Sequence, residues 1–272
     1  MAQYDKIGTQ YDFIKTTPFN DIEQYNFRSA IQPLFAGGDC HVIEFASGTG
    51  FYSERMLRWG AASVTGVELS SAMVDGANER LANTDLAPRA KFIHGDGREV
   101  KLYPAPSPQK FDVAASVWFL NYAMSYGELE AMFKTIALNL KDDGVFIGVC
   151  LPPIDDFERR IGSYTPEAMN RTGVRFDYLA PLESGEGYPF RVVALDPTHP
   201  EQPVLEFESF HLKKRLYESA ARAGGMAGRL EWCDCDFAVD GWRQKVGLQH
   251  DDDAWEKLNK APHMCILKIS KK

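Results

Sequence analysis

The stretch HVIEFASGTGFYSERML, residues 41–57, changes character twice within a few residues. It begins as an apolar, β-type segment, passes through alanine, serine and glycine, and continues with the periodicity of a helix. Glycines let a backbone approach a ligand closely, and the first turn of a helix offers N–H groups that lack intrahelical partners. A strand, a glycine turn and a helix start in this order therefore predict a ligand-binding turn.

Strand-like and helix-like segments alternate on both sides of this turn. Near-continuous apolar runs predict strands at HVIEFA, SVTGVEL, AKFIHGD, FDVAASVWFL and GVFIGVC. Helices are predicted at residues 18 to 36, at FYSERMLRW before Gly60, at SSAMVDGANERLANTD after a serine N-cap, and at YGELEAMFKTIALNL. Apolar strands that alternate with helices predict an α/β fold with a doubly wound, mostly parallel sheet and helices on both faces.

The pattern changes after residue 151. An irregular stretch is followed by VRFDYLAPL, YPFRVVALD and VLEFESFHL, which alternate in the manner of antiparallel strands, and then by a helix and two strands. We expect a single domain with four parts. These are an N-terminal lid over about residues 1–36, a ligand-binding core over about 37–150, an inserted antiparallel cap over about 151–210, and a return to the core over 211–272.

Acidic residues close three successive predicted strands. Glu44 precedes the glycines, Glu68 ends SVTGVEL, and Asp96 follows AKFIH. The carboxyl ends of parallel strands meet at one edge of an open sheet, where such folds bind ligands. A carboxylate accepts hydrogen bonds from ribose hydroxyls or an adenine amino group. Glu44, buried in the turn, needs an N–H or cationic partner, such as a ligand with an ammonium or sulfonium charge.

The glycine turn also admits the dinucleotide fingerprint G-x-G-x-x-G. Gly48 and Gly50 supply its first two glycines, but Ser53 stands at the third and is expected to crowd the helix against the sheet. A nicotinamide-dependent oxidoreductase therefore stays an alternative that the turn disfavours. The lack of a recognisable Ser/Tyr/Lys catalytic set also speaks against it.

Together these segments resemble class I S-adenosylmethionine-dependent methyltransferases over about residues 40–150. The resemblance is carried by EFASGTG, GVELS, GDGRE, FDVAASVWFLNY and LNLKDDGVFIGV. Its one departure is Ala46, at the first glycine of the family pattern acid-x-Gly-x-Gly, where less freedom in φ is expected to be needed than at Gly48 or Gly50. Residues 118–149 and the segment FESFHLKKRLYESAARAGG are also similar to small-molecule methyltransferases that N-methylate heterocycles such as the toxoflavin precursor.

The resemblance implies a Rossmann-like, seven-stranded sheet and S-adenosyl-L-methionine as the cofactor. It implies that Glu44 and the turn hold the methionine portion, that Glu68 holds the ribose, and that Asp96 frames the adenine. The expected cofactor-binding residues are Tyr11, Glu44, Ala46, Ser47, Gly48, Gly50, Glu68, Leu69, Asp96, Gly97, Ser116 and Val117.

Candidates for the acceptor side follow the fourth strand, which faces the methyl donor in that family. They are Trp118, Asn121, Tyr122 and, from the later FESFHL, His211. The face of Trp118 could stabilise a sulfonium by a cation–π interaction, and His211 could act as a base if the acceptor must lose a proton.

Aromatic residues of the lid and the cap each have two interpretations. In the lid, Tyr4, Tyr11 and Tyr25 could close over the cofactor or pack as core. In the cap, aromatic residues could line the site of an apolar or planar acceptor, or simply pack the cap onto the sheet. They are Phe157, Tyr164, Phe176, Tyr178, Tyr188 and Phe190.

The composition of the chain restricts the classes of binding partner that we expect. The 272 residues carry a net charge of −8, which argues against a general nucleic-acid or anionic-membrane binder. No apolar run is long enough to span a bilayer, and the N-terminus lacks a secretory pattern. Five cysteines without framework spacing suggest reduced thiols and a cytoplasmic location. Cys233, Cys235, His263 and Cys265 leave zinc open, although ordinary strand cysteines are favoured because C-x-x-C spacing is missing.

The sequence thus predicts an S-adenosylmethionine-dependent methyltransferase, monomeric or homodimeric, with a small-molecule acceptor. The predicted acceptor atom is a nitrogen of a secondary metabolite or amine, because the sub-family similarity points there and no base is evident. The reaction is an in-line displacement in which the protein supplies proximity and orientation. O- or C-methylation stays open, as does a protein of this fold that binds the cofactor without methylating.

Overall fold

The computed structural model describes residues 7–105, 110–163, 169–196, 199, 201–260 and 262–272, and it contains two sheets. The strands are β1 His41–Phe45, β2 Ser63–Glu68, β3 Ala90–His94, β4 Phe111–Val117, β5 Leu140–Cys150, β6 Val174–Tyr178, β7 Gly187–Leu195, β8 Pro203–Leu212, β9 Leu230–Asp234 and β10 Cys265–Ser270. The helices are α1 Pro18–Ile31, α2 Phe51–Trp59, α3 Ser71–Leu81, α4 Tyr126–Asn139, α5 Phe157–Ser163, α6 Lys214–Ala223, α7 Trp242–Lys245 and α8 Asp252–Lys260. Short 3-10 helices cover Gly8–Thr16, Gln32–Phe35, Ala87–Arg89 and Phe119–Tyr122.

The larger sheet has seven strands in the order β3-β2-β1-β4-β5-β10-β9. The first five are parallel to one another, and β10 runs antiparallel to both β5 and β9. The predicted doubly wound, mostly parallel fold is therefore confirmed. The strand order reverses between β1 and β4, and open sheets of this kind bind ligands where the order reverses.

Helices cover both faces of this sheet. On one face, α1 and α2 contribute buried side chains such as Phe27 and Met56. On the other face, α4 and α6 contribute side chains such as Phe133 and Leu216. The predicted helix at residues 18 to 36 ends at Ile31, and a 3-10 turn that contains Pro33 follows it, because proline lacks the N–H that a continuing helix needs.

The smaller sheet, β6-β7-β8, is an antiparallel meander and confirms the predicted antiparallel strands of the cap. Side chains on one of its faces, including Phe176, Phe190 and Phe207, join the core that α1 helps to form. One expectation was wrong: part of the stretch predicted to be irregular forms the helix α5. No helix in the described part of the chain has the length and apolar character needed to cross a membrane.

Candidate active site

A cavity of about 320 Å³ lies at the carboxyl ends of the central strands. Its walls come from the glycine turn after β1, the ends of β2, β3 and β4, the N-terminal 3-10 helix and the edge strand β8. Ten of the expected cofactor residues line it: Tyr11, Glu44, Ala46, Ser47, Gly48, Glu68, Leu69, Asp96, Gly97 and Val117. Gly50 and Ser116 lie outside this lining.

The glycine turn takes the left-handed conformation three times. Gly48 has φ 55° and Gly50 has φ 77°, and a side chain at Gly50 would also meet the Phe92 ring at 3.0 Å. Ala46 has φ 55° as well, so the expectation that its position needs less freedom in φ was wrong. The left-handed region costs a residue with a Cβ atom about 1 kcal/mol, which the surrounding turn must offset.

Glu44 lies at the buried end of the cavity. The hydroxyl of Ser53, in the first turn of α2, donates a hydrogen bond to its carboxylate. Ser53 therefore serves as a hydrogen-bond donor across the helix–sheet contact, where the sequence predicted crowding. Burial raises the pKa of Glu44 from 4.5 to about 8, although the Ser53 hydrogen bond and the charge of Lys15 lower it. The turn thus holds a carboxyl group that gains from a cationic partner.

Glu68, the last residue of β2, hydrogen-bonds backbone groups that follow β1 and β2. Its carboxylate accepts hydrogen bonds from the backbone N–H of Gly48 and of Ser70, each at 2.9 Å. Burial raises the pKa of Glu68, and these N–H groups oppose the rise. Each carboxylate oxygen can accept a further hydrogen bond, so the side chain can order the turn and still receive ligand hydroxyls.

Asp96 is paired with Arg98, a cavity-lining cation that the sequence did not single out. The guanidinium bonds both oxygens, with Nε to Oδ1 at 3.0 Å and Nη2 to Oδ2 at 2.8 Å. Burial alone would raise the pKa of Asp96, but the hydrogen bonds and charge of Arg98 outweigh it and lower the pKa. Asp96 is therefore held ionised at the cavity wall.

Ser47 also lines the cavity, but its hydroxyl oxygen is packed beside Gly66 of β2. It is buried and has no hydrogen-bond partner among the described residues. Buried polar groups in folded proteins are almost always hydrogen-bonded. The Ser47 hydroxyl is therefore an exception among the described residues, and its burial keeps it out of reach of a ligand in the cavity.

The N-terminal 3-10 helix lies against the glycine turn. Asp12 accepts a hydrogen bond from the Thr49 hydroxyl at 2.5 Å and forms an ion pair with Arg80, and Arg80 Nε donates to the Thr49 carbonyl at 2.8 Å. Tyr11 lines the cavity from this segment, whereas Tyr25 is 45% exposed and lies elsewhere. The predicted lid residue Tyr4 lies outside the described residues.

A buried carboxylate that the sequence analysis missed fixes this segment to the core. Glu23 is fully buried and accepts hydrogen bonds from Lys15 Nζ at 2.9 Å, Asn20 Nδ2 at 2.8 Å, the Tyr52 hydroxyl at 2.5 Å, and Trp118 Nε1. These donors come from the N-terminal 3-10 helix, α1, α2 and the end of β4. Glu23 thus holds together the elements that wall the cavity.

The predicted acceptor-side residues are divided between two places. Tyr122 lines the cavity and also a neighbouring apolar pocket of about 30 Å³. Trp118 lines only the smaller pocket, in a left-handed conformation with φ 71°, and contacts Phe19. Asn121 lines neither and is buried, with Nδ2 donating to the Phe210 carbonyl at 3.2 Å.

His211 lies away from the cavity. Its Nε2 is 2.9 Å from the Pro152 carbonyl oxygen, which can only accept, so Nε2 carries the proton and Nδ1 accepts from the Tyr178 hydroxyl at 2.8 Å. Burial lowers the pKa of His211 to about 3, and the Pro152 carbonyl opposes this. The ring is held neutral between two partners.

The cap aromatics pack against one another. Phe157 contacts Tyr188 at 4.8 Å between ring centroids, and Phe176 contacts Phe190 at 5.2 Å. Tyr178 belongs to the same cluster, and Tyr164 lies outside the described residues. These ring contacts therefore support the interpretation in which the aromatic residues of the cap serve packing.

The residues considered for zinc are in strands or in the core. Cys265 Sγ is 3.8 Å from Cys150 Sγ on the paired strand β5, and His263 packs on Phe19 at 4.6 Å between ring centroids. Across the described ranges, no group of three or more histidine, cysteine or acidic side chains is arranged to hold a metal ion.

Comparison with known proteins finds a matching family model and solved structures with a similar fold. Residues 42–144 match a family model described as a methyltransferase domain, and no curated protein sequence shows significant similarity to the chain. The methyltransferase CcbJ from Streptomyces caelestis is 16% identical with a TM-score of 0.53, over 90% of this chain and 88% of that one.

Two further solved structures show the same fold. An S-adenosylmethionine-dependent methyltransferase from Clostridium acetobutylicum is 15% identical with a TM-score of 0.53, over 90% of this chain and 91% of that one. The glycopeptide N-methyltransferase MtfA, complexed with sinefungin, is 13% identical with a TM-score of 0.54, over 93% and 86%. Residues 42–144 thus match a methyltransferase domain, and the chain as a whole shares its fold with S-adenosylmethionine-dependent methyltransferases.

Proposed function

We propose that the protein transfers a methyl group from S-adenosylmethionine to a nitrogen atom of a small-molecule acceptor. The observation that carries the proposal is the meeting of Glu44, Glu68 and Asp96 with the glycine turn in one cavity. Three acids at successive strand ends suit an ammonium group, a ribose and an adenine in that order.

The residues present fit this cofactor. Glu44 and Lys15 both line the cavity. The Glu44 carboxylate is available for the ammonium of the ligand, and Lys15, which pairs with Glu23, adds positive charge near Glu44. We assign Glu68 to the ribose hydroxyls and Leu69 and Asp96 to the adenine, because all three line the cavity.

The bound cofactor supplies a methyl group that is already activated on a sulfonium. The protein therefore contributes chiefly by holding the acceptor in line with that group and by excluding water. Val117, Tyr122 and Phe210 line the cavity where the acceptor would approach. This fits an acceptor whose own lone pair attacks.

A nitrogen acceptor is favoured because an amine lone pair needs no separate base. His211, the base considered for an oxygen or carbon acceptor, is held between Tyr178 and Pro152, and we assign it no proton transfer. The fold is also that of a structure described as a glycopeptide N-methyltransferase.

Methyl accounting tests the function. The protein is incubated with methyl-labelled S-adenosylmethionine and amine-containing small-molecule extracts, and products are followed by mass spectrometry. We expect S-adenosylhomocysteine to accumulate together with an equal amount of labelled N-methyl product. Cofactor binding without label transfer would contradict the proposal and favour a non-methylating role, and labelled O-methyl or C-methyl products would refute the nitrogen assignment.

The pKa of Glu44 gives a prediction on proton release. Because this pKa is raised to about 8, most empty protein holds a proton on Glu44 at pH 7, and a ligand ammonium requires the ionised form. S-Adenosylhomocysteine binding should therefore release up to about one proton at pH 7, and its affinity should rise with pH until about 8. Calorimetry in buffers of different ionisation enthalpy measures the proton count.

Raising the pH should change the stability of the ligand-free protein in the direction opposite to its change in ligand affinity. The folded pKa of Glu44 lies above the unfolded one, so folded protein takes up this proton more readily, and stability of the empty protein is lost as the pH rises from about 4.5 to about 8. Glu44→Gln should flatten both pH dependences. A wild-type proton count near zero at pH 7 would contradict the assignment of Glu44 to the ligand ammonium.

A further inference from the structure

The second pocket, of about 30 Å³, neighbours the cavity. Its walls come from the N-terminal 3-10 helix, α1, the residues that follow β4, and the smaller sheet. Seven of its eleven described lining residues are aromatic, and the other four are Ile14, Val174, Val192 and Ser209. These described residues include no acidic or basic side chain, so the pocket is an apolar space beside the site that we assign to methyl transfer.

Strand β8 separates the pocket from the cavity. Phe207 and Ser209 line the pocket, whereas Glu208 and Phe210 line the cavity. Successive side chains of a strand point to opposite faces, so each space receives one face of β8. The pocket and the cavity therefore lie on the two sides of a single strand.

Two tyrosines line both spaces. Tyr11 comes from the N-terminal 3-10 helix, and Tyr122 ends the short 3-10 helix after β4. Because each side chain contributes to both linings, the pocket and the cavity meet at these two residues. An acceptor held in the cavity can therefore extend a substituent past them into the pocket.

Trp118 is held on the pocket wall in a strained backbone conformation. Its φ of 71° lies in the left-handed region, where a bulky residue is an outlier. Its Nε1 donates to the buried carboxylate of Glu23, and its ring contacts Phe19 and Phe176. Such strain persists where the surrounding structure enforces it, and it clusters at ligand sites. The strain is thus a sign of a ligand site that is independent of the shape of the pocket.

The occupant that fits the pocket is small and apolar. The Ser209 hydroxyl already donates to the Asn121 carbonyl at 2.8 Å, so it has no proton left for a water. A buried water needs roughly two to four polar partners, whereas an apolar group gains dispersion contacts with the rings. One water-sized group needs about 10–15 Å³, so the pocket has room for about two such groups. A cavity that holds benzene is far larger, at about 150 Å³.

We propose that this pocket binds a short, uncharged alkyl branch of the acceptor, about two carbon atoms long, while the acceptor nitrogen stays in the cavity; this rests on the proposed function. The pocket then selects acceptors by the length of that branch. A longer chain or a ring would have to displace packed aromatic side chains, which is unfavourable in a well-packed core.

Binding to protein saturated with S-adenosylhomocysteine tests this proposal without relying on turnover. The probes are pyrazole and its methyl, ethyl and butyl derivatives, substituted at the carbon farthest from the two nitrogens. All four are uncharged at neutral pH and keep a nitrogen lone pair. Each carbon that enters the pocket should tighten binding about fourfold, so the ethyl compound should bind about tenfold more tightly than pyrazole. The butyl compound should bind more weakly than the ethyl compound, and calorimetry measures all four.

Val192 is the residue to vary, because it lies between Phe176 and Phe207 in the register of the sheet. It lines the pocket and not the cavity. Val192→Ala enlarges the pocket, so the butyl compound should then bind at least as tightly as the ethyl compound. Val192→Phe fills the pocket, so pyrazole and the ethyl compound should bind within about twofold of each other. Val192→Ala carries the test on its own if Val192→Phe fails to fold.

Val204→Ala is the matched control. Val204 is 46% exposed on β8 and lies outside both linings, so the wild-type order of affinities should persist. The proposal is overturned if affinity in the wild type rises steadily from pyrazole to the butyl compound, if Val192→Ala leaves the order unchanged, or if no pyrazole binds to the loaded protein. Failure of S-adenosylhomocysteine itself to bind would instead refute the proposed function.

Discussion

Glu68→Ala should lower the affinity for S-adenosylhomocysteine about 100-fold or more. Glu68 accepts the N–H of Gly48 and of Ser70, and we propose that it also accepts the ligand ribose hydroxyls, so alanine removes both the order of the turn and that acceptor. Two hydrogen bonds to a charged acceptor are together worth about 3 kcal/mol or more, which corresponds to a factor of about 100 or more. Isothermal calorimetry measures the change directly.

Two further variants separate ligand contact from general damage. Glu79→Ala, on the exposed face of α3, should leave the affinity unchanged. Glu68→Gln keeps the shape and one oxygen acceptor, so its loss should fall between those of the wild type and Glu68→Ala. Unchanged affinity in a folded Glu68→Ala protein would remove Glu68 from the cofactor site.

Glu23→Ala should cost about 3–5 kcal/mol of unfolding free energy, because removing one partner of a buried ion pair leaves the other charge uncompensated. Lys15, whose side chain is 8% exposed, would lose its carboxylate, and Tyr52 and Trp118 would lose their acceptor. The N-terminal 3-10 helix should loosen with it. Urea unfolding measures the stability, and limited proteolysis near residues 8–16 reports on the helix.

The control for this variant is again Glu79→Ala, whose effect should stay within about 0.5 kcal/mol. A loss below about 1 kcal/mol in Glu23→Ala would mean that the four donors find other partners. In that case Glu23 would not be what fastens the N-terminal segment to the core.

The acidic part of the cavity lining could be predicted because its residues follow a local rule. Parallel strands end at one edge of a sheet, so the acids that close β1, β2 and β3 had to lie near one another. Glu44, Glu68 and Asp96 do line one cavity. The backbone at Ala46 could not be read from residue type, because its left-handed φ is imposed by the turn around it.

The missed residues depend on packing between distant elements. Glu23 is an acid among the apolar residues of α1, and this was a signal, since Phe19, Ile22 and Phe27 mark the buried face of that helix. Lys15 and Glu208 reach the cavity only because the N-terminal 3-10 helix and β8 fold over it. No local pattern encodes that placement.

His211, in contrast, was predicted as a site residue and does not line the cavity. As a lone histidine after an alternating strand it was a reasonable candidate base, but β8 turns it toward Tyr178 and Pro152. The narrower resemblance to heterocycle N-methyltransferases stays a prediction, because the segments that carry it are the helix- and strand-forming parts of residues 118–149 and 207–225.

The most direct measurement is a calorimetric titration of the purified protein with S-adenosylmethionine, S-adenosylhomocysteine and NAD under one set of conditions. We expect the two adenosyl-sulfur ligands to bind with micromolar dissociation constants and NAD to show no binding, because Ser53 replaces the third glycine of the dinucleotide turn and donates to Glu44. Binding of NAD alone, or of none of the three, would contradict the assignment of this cavity to S-adenosylmethionine.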